Sequence, residues 1–114
     1  MRSRSDDGDR GSVTAEFAVA LPAIALVLAA CLAAVLLVAQ QVRLEDAAAD
    51  AARALGRGES EGVAGSIADR VSGGARLSSW HEDPFVCVAL SADGSGLLAA
   101  IELRAESCAV AGGL

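Results

Sequence analysis

The chain contains no lysine and no tyrosine, a single histidine, and three aromatic residues, Phe17, Trp80 and Phe85. All nine basic residues are therefore arginine, set against fifteen acidic ones for a formal charge of −6. The missing lysine, with the excess of alanine and glycine, is the composition of a high-GC coding sequence. The acidic balance disfavours nucleic acid and anionic lipid as ligands. Also absent are a phosphate-cradling glycine loop, a nucleophile elbow and a Cys-x-x-Cys pair, which removes the usual routes to nucleotide, hydrolase and dithiol chemistry. His81 is followed by Glu82 and Asp83, but no further ligands stand at usable spacing. A solvated turn beside Pro84 is favoured over a metal site or a carboxylate-oriented base. Trp80 is read as a cap on a small core. These absences point to a chain that is not an enzyme and needs neither cofactor nor metal.

What the sequence has in abundance is one apolar run. From Phe17 to Ala39 there are 23 residues without a charge, amide or glycine. In helical form they reach ~35 Å, enough for a hydrocarbon core of ~30 Å. A single-pass membrane protein is expected. Ala18, Ala25, Ala29, Ala33 and Ala34 leave room for helices to approach closely. Pro22 removes one backbone donor and crowds the carbonyl of Ala18, so a kink is expected there.

Glu16 stands at the edge of this run, where a carboxylate without a cation is costly. Proteolysis supplies one if the chain is cut between Gly11 and Ser12. The new α-amine on Ser12 and the Glu16 carboxylate are then i and i+4 neighbours on a helix. They can pair within one chain or between packed chains.

Gly11, four residues, then Glu16, Phe17 and an apolar run resembles the class III processing motif of type IV prepilins. The longer string Ala15-Glu16-Phe17-Ala18-Val19-Ala20-Leu21-Pro22 is similar to the opening of TadE-like minor pilins of tight-adherence systems. The likeness is specific over residues 10–22 and looser to about residue 57. Major pilins of these systems usually carry tyrosine after the glutamate, so Phe17 favours the minor-pilin branch. The resemblance implies cutting after Gly11 by a membrane prepilin peptidase with an aspartyl active site. It also implies partners among the major pilin, other minor pilins and the pilus assembly platform, and a role in pilus assembly or adhesion.

Two alternatives stay open. Leu28-Ala29-Ala30-Cys31 matches a lipobox, although the apolar run continues eight residues past Cys31 and leaves Glu16 without a purpose. An uncleaved single-pass protein with a small outer domain is the other. Otherwise Cys31 is a small packing residue in mid-span.

Along the chain, residues 1–11 are polar and mixed in charge, expected as a disordered, cleaved leader. Residues 12–40 form the transmembrane and assembly helix. Residues 41–57 continue it as an amphipathic stalk, with Val42, Ala48, Ala52 and Leu55 on one face and Arg43, Glu45, Asp46, Asp50 and Arg53 on the others. Gly56 and Gly58 supply the stop. Residues 58–114 form a small extracytoplasmic domain. Within it Glu59 to Ser72 is a short helix carrying Val63, Ile67 and Val71 and closed by Gly73-Gly74. Three strands are expected at Ala75 to Trp80, Phe85 to Leu90 and Ala99 to Glu106, with turns at residues 81–84 and 91–96. The tail from Ala109 to Leu114 is expected to fray. The fold class is membrane-anchored α+β: a long helix, a short helix and a three-stranded antiparallel sheet.

Pairing Cys87 with Cys108 would close a loop of about twenty residues, worth ~3 kcal/mol on the chain-entropy treatment. It would place the domain outside the cytoplasm. Cys108 is placed just past the regular alternation of the last strand, where the chain can bend toward Cys87. Two free buried thiols are the alternative. Three arginines precede the span (Arg2, Arg4, Arg10) and three follow it (Arg43, Arg53, Arg57), so charge leaves the orientation undecided. An inside N-terminus rests on the processing motif and the two distal cysteines.

Overall fold

A computed structural model describes the backbone of residues 2–112 and the side chains of residues 11–112. The element order is helix α1 (Arg2–Gly56), helix α2 (Glu61–Ser72), strands β1 (Arg76–Glu82) and β2 (Phe85–Asp93), a short 3₁₀ turn (Gly96–Leu98) and strand β3 (Glu102–Val110). The chain divides into two units, Met1–Leu36 and Leu37–Leu114.

In the first unit α1 is apolar, and its large side chains from Val13 to Leu36 are all more than half exposed. It is long and apolar enough to cross a membrane. Pro22 lies inside α1 without ending it. The backbone is already helical from Arg2, where the sequence led us to expect a disordered leader. Before Pro22 no proline stops a helix, and extending an existing helix costs far less than nucleating one.

The second unit is built on the last third of α1. Leu44, Ala47, Ala48, Ala51 and Ala52 repeat at helical spacing and are at most 1% exposed. They join Ala64 and Ala68 of α2 and Val88, Leu90, Leu103 and Ala105 of the sheet in one core. Full burial of Leu44 or Leu90 contributes ~1.5–3 kcal/mol each. The segment expected as a free stalk is thus a core helix of the compact unit. Val42, expected on its apolar face, is exposed, and Leu44 and Ala47 face the core instead.

Ser60 caps α2 by accepting the Val63 N–H at 3.3 Å, Glu61 in the first turn suits the helix dipole, and left-handed Gly73 (φ 81°) ends the helix. The sheet is an antiparallel meander in the order β1-β2-β3. The alternation read for the last strand holds for Leu103 and Ala105, which are buried, and for Glu102, Arg104 and Glu106, which are exposed; Ile101, expected on the buried face, is exposed and precedes the strand. The strand bounds differ from expectation. β1 continues to Glu82, β2 continues to Asp93, and β3 starts at Glu102 because residues 96–98 coil into the 3₁₀ turn. β3 extends through Val110, and beyond it the Gly112 N–H donates to the Gly56 carbonyl at 2.8 Å. The described part of the tail is therefore tied to the end of α1; Gly113 and Leu114 lie outside the described residues.

Candidate processing and assembly site

Gly11, Ser12, Glu16 and Phe17 all lie on α1, whose Ala- and Leu-rich sequence holds them in fixed helical register. Ser12 and Glu16 are one turn apart. Together with Ala15, Val19, Ala20 and Ala23 they line one open strip along the helix. Phe17 is beside the strip and 63% exposed. Among the described residues Glu16 has no ion-pair partner. In sequence the next cation after Arg10 is Arg43. The strip is a small-residue surface carrying one carboxylate, a shape suited to a helix that packs against others through a single charged contact.

Cys31 is an exposed free thiol on α1, in mid-run, with helix continuing on both sides.

Cys87 and Cys108 are bonded, with Cα atoms 4.0 Å apart. They stand directly opposite each other on β2 and β3, in the row that begins with Trp80 on β1. Cys108 is thus inside the regular strand, not beyond it: the register set by β2 and β3 brings the two thiols together with no bend of the chain. Trp80 donates from Nε1 to Glu82 at 3.2 Å.

His81 is exposed on β1, and it shares a hollow of about 380 Å³ with Leu55, Glu59, Glu61, Ser79 and Val86. Ser79 donates its hydroxyl to Glu61, and Glu59 pairs with Arg57 at 3.2 Å. No group of three or more metal-ligating side chains occurs among the described residues. This hollow gathers residues from α1, α2 and the sheet, and no local signal in the sequence announced it. The same is true of two amides on α1. Gln40 donates to the Asp93 carbonyl at 3.0 Å and Gln41 to the Arg104 carbonyl at 2.9 Å, fixing α1 to the β2–β3 end of the sheet.

Residues 11–53 match a family described as TadE-like protein. The apoptosis inhibitor Rv3655c of Mycobacterium tuberculosis is 40% identical over 99 residues, covering 84% of this chain and 76% of that protein. No solved structure matches the chain.

Proposed function

The chain belongs to the TadE-like family, and from that premise we propose that it is a minor pilin of a tight-adherence pilus, cut after Gly11 by a prepilin peptidase. The family associates it with a pilus system, and its first helix has the length and apolar character of a membrane span. The observation that carries the finer reading is Glu16, a lone carboxylate one helical turn from Ser12 on an otherwise apolar helix surface.

Residues 1–11 are the leader, and the mature chain begins at Ser12. Its helix waits in the cell membrane with the N-terminus inside and the disulfide-bonded unit outside, where Cys87 and Cys108 can remain oxidised. Assembly moves the apolar helix from lipid into a bundle of like helices, a nearly neutral exchange of apolar contacts. The charge pair then sets register: the Ser12 α-amine of an incoming subunit meets Glu16 of another. A charge left unpaired in that dry interior costs several kcal/mol. Its partners are the peptidase, the major pilin, other minor pilins and the assembly platform. The chain is a substrate of enzymes and performs no catalysis itself.

Two variants test this. Gly11→Leu should accumulate in the membrane at full length, and normal maturation of that variant would refute the cleavage site. Glu16→Ala should be processed yet stay out of filaments; unimpaired incorporation removes the register role.

A second reading rests on the 40% identity to a protein described as an apoptosis inhibitor: this chain suppresses apoptosis. Cells given the full chain in vesicles should then show less caspase activation than cells given empty vesicles, and equal activation removes this reading.

A further inference from the structure

The segment joining β2 to β3, residues 94–101, reads Gly-Ser-Gly-Leu-Leu-Ala-Ala-Ile and carries no charge. Leu97 at its tip is 104% exposed and Ile101 41%. Ala99 and Ala100 are exposed beside them. Apolar side chains gathered at one surface point mark a contact, because leaving them in water forgoes the favourable transfer to an apolar phase.

The backbone of this loop is already paired. The Gly94 N–H donates to Ile101 at 2.8 Å, Leu98 to Ser95 at 3.1 Å, Ala99 to Gly96 at 3.2 Å and Ile101 to Leu98 at 3.0 Å. Internally bonded amides can leave water at far lower cost than open ones.

The position of the loop base is fixed by the two glutamines on α1. Gln40 holds Asp93, the last residue of β2, and Gln41 holds Arg104, the third residue of β3. Gln40 is also the first polar residue after the apolar run that ends at Ala39. Leu37, Val38 and Ala39, the end of that run, belong to the same unit as Gln40 and the loop, so when these residues border lipid the base of the loop stands beside that border. The charges around the base are largely matched: Arg76 lies 3.6 Å from Asp93 and 3.8 Å from Glu102, and Arg104 lies 2.6 Å from Glu106. Nothing there selects an anionic headgroup, so apolar insertion is the attraction.

We propose that the loop of residues 94–101 is a second membrane contact, with Leu97 and its apolar neighbours inserted at the surface of the bilayer that α1 crosses. This inference rests on the reading of α1 as a membrane span. The contact is shallow, roughly 5–10 Å deep at the headgroup–acyl boundary. Deeper entry is barred, since irregular backbone facing lipid is not tolerated in the hydrocarbon region. It gives the compact unit a fixed seat on the membrane before assembly, and leaving lipid then releases both the helix and the loop.

The test uses the full chain with Cys31→Ala, kept oxidised, in phosphatidylcholine vesicles. An environment-sensitive fluorophore is placed in turn at Ala99→Cys, at Asp83→Cys at the opposite end of the sheet, and at Leu28→Cys in mid-span. Lipids carrying a nitroxide near the headgroup or deep in the acyl chain serve as quenchers. The Ala99 label should be blue-shifted and quenched mainly by the shallow nitroxide, the Asp83 label should report water, and the Leu28 label should be quenched by the deep nitroxide. Adding Leu97→Asp, at a position already fully exposed, should return the Ala99 label to the signal of the Asp83 label. A water-like Ala99 label beside a lipid-buried Leu28 label overturns the loop contact alone. A Leu28 label in water overturns the span and the loop contact with it. An Ala99 label that is shielded yet quenched by neither lipid means that a protein neighbour covers the loop, and this also overturns the proposal.

Discussion

Replacing Cys87 and Cys108 together by alanine releases a cross-link between residues 21 apart in sequence. On the chain-entropy treatment, a closure of that length stabilises the fold by ~3 kcal/mol through the unfolded chain. Domains of ordinary stability are held by only about 5–15 kcal/mol. With a core made largely of alanine, this unit belongs at the lower end, so the bond accounts for a large share of its stability. At about 4–8 °C per kcal/mol for a domain of this size, the unfolding midpoint should fall by ~12–24 °C. Trp80 provides the readout. It is the sole tryptophan and stands opposite Cys87 on β1, so its emission follows the compact unit and not the apolar helix. The measurement is thermal unfolding of the full chain in mild detergent, for the parent, the double variant and the parent with reductant. A fall of less than about 3 °C in both the variant and the reduced parent would refute the reasoning, because the bond would then constrain almost nothing that the sheet does not already hold.

Other perturbations separate core from surface. Ala51 is 0% exposed on the face of α1 that packs in the core, so Ala51→Leu should destabilise the unit by ~1–3 kcal/mol. Ala25→Leu in the exposed apolar run of α1 should leave the Trp80 midpoint unchanged, and equal midpoints for the two variants would mean that the α1 face is not packed. A Cβ at Gly94 would collide with the Leu98 carbonyl oxygen, so Gly94→Ala should open the β2–β3 loop at a similar cost of ~1–3 kcal/mol. That shows as a lower midpoint and faster amide exchange at Leu98 and Ile101. Arg104→Ala removes an exposed 2.6 Å pair with Glu106 and should change stability by less than about 1 kcal/mol.

The parts of the fold legible in sequence are those written in local periodicity. The alternation of Leu103 and Ala105 against Glu102, Arg104 and Glu106 identified β3 and its buried face. The glycine pair after Ser72 marked the end of α2. The start of α2 falls two residues later than the Glu59 read from the sequence, because the Ser60 hydroxyl accepts the Val63 N–H and caps the helix there. The face of α1 was harder to read. Residues 47–49, 51, 52 and 54 are all alanine, so hydrophobicity scarcely distinguishes one side, and which alanines are buried depends on where the sheet lies. The Cys87–Cys108 pairing was read from spacing, but its position opposite within two strands depends on a register set by the distant turn at residues 94–101. The Gln40 and Gln41 contacts span 53 and 63 residues and leave no trace in local pattern. At the candidate site, Gly11, Ser12, Glu16 and Phe17 stand out in the sequence because a carboxylate bordering an apolar run is conspicuous in one dimension. The placement of Ser12 and Glu16 on one helical strip adds geometry to that reading.

Whether Glu16 gains an amine beside it turns on cleavage after Gly11. Intact-mass analysis with N-terminal sequencing of the protein extracted from its native membrane decides this. The predicted result is a chain that begins at Ser12 and lacks the mass of residues 1–11. A chain beginning at Met1, or at a lipid-bearing Cys31, would contradict it.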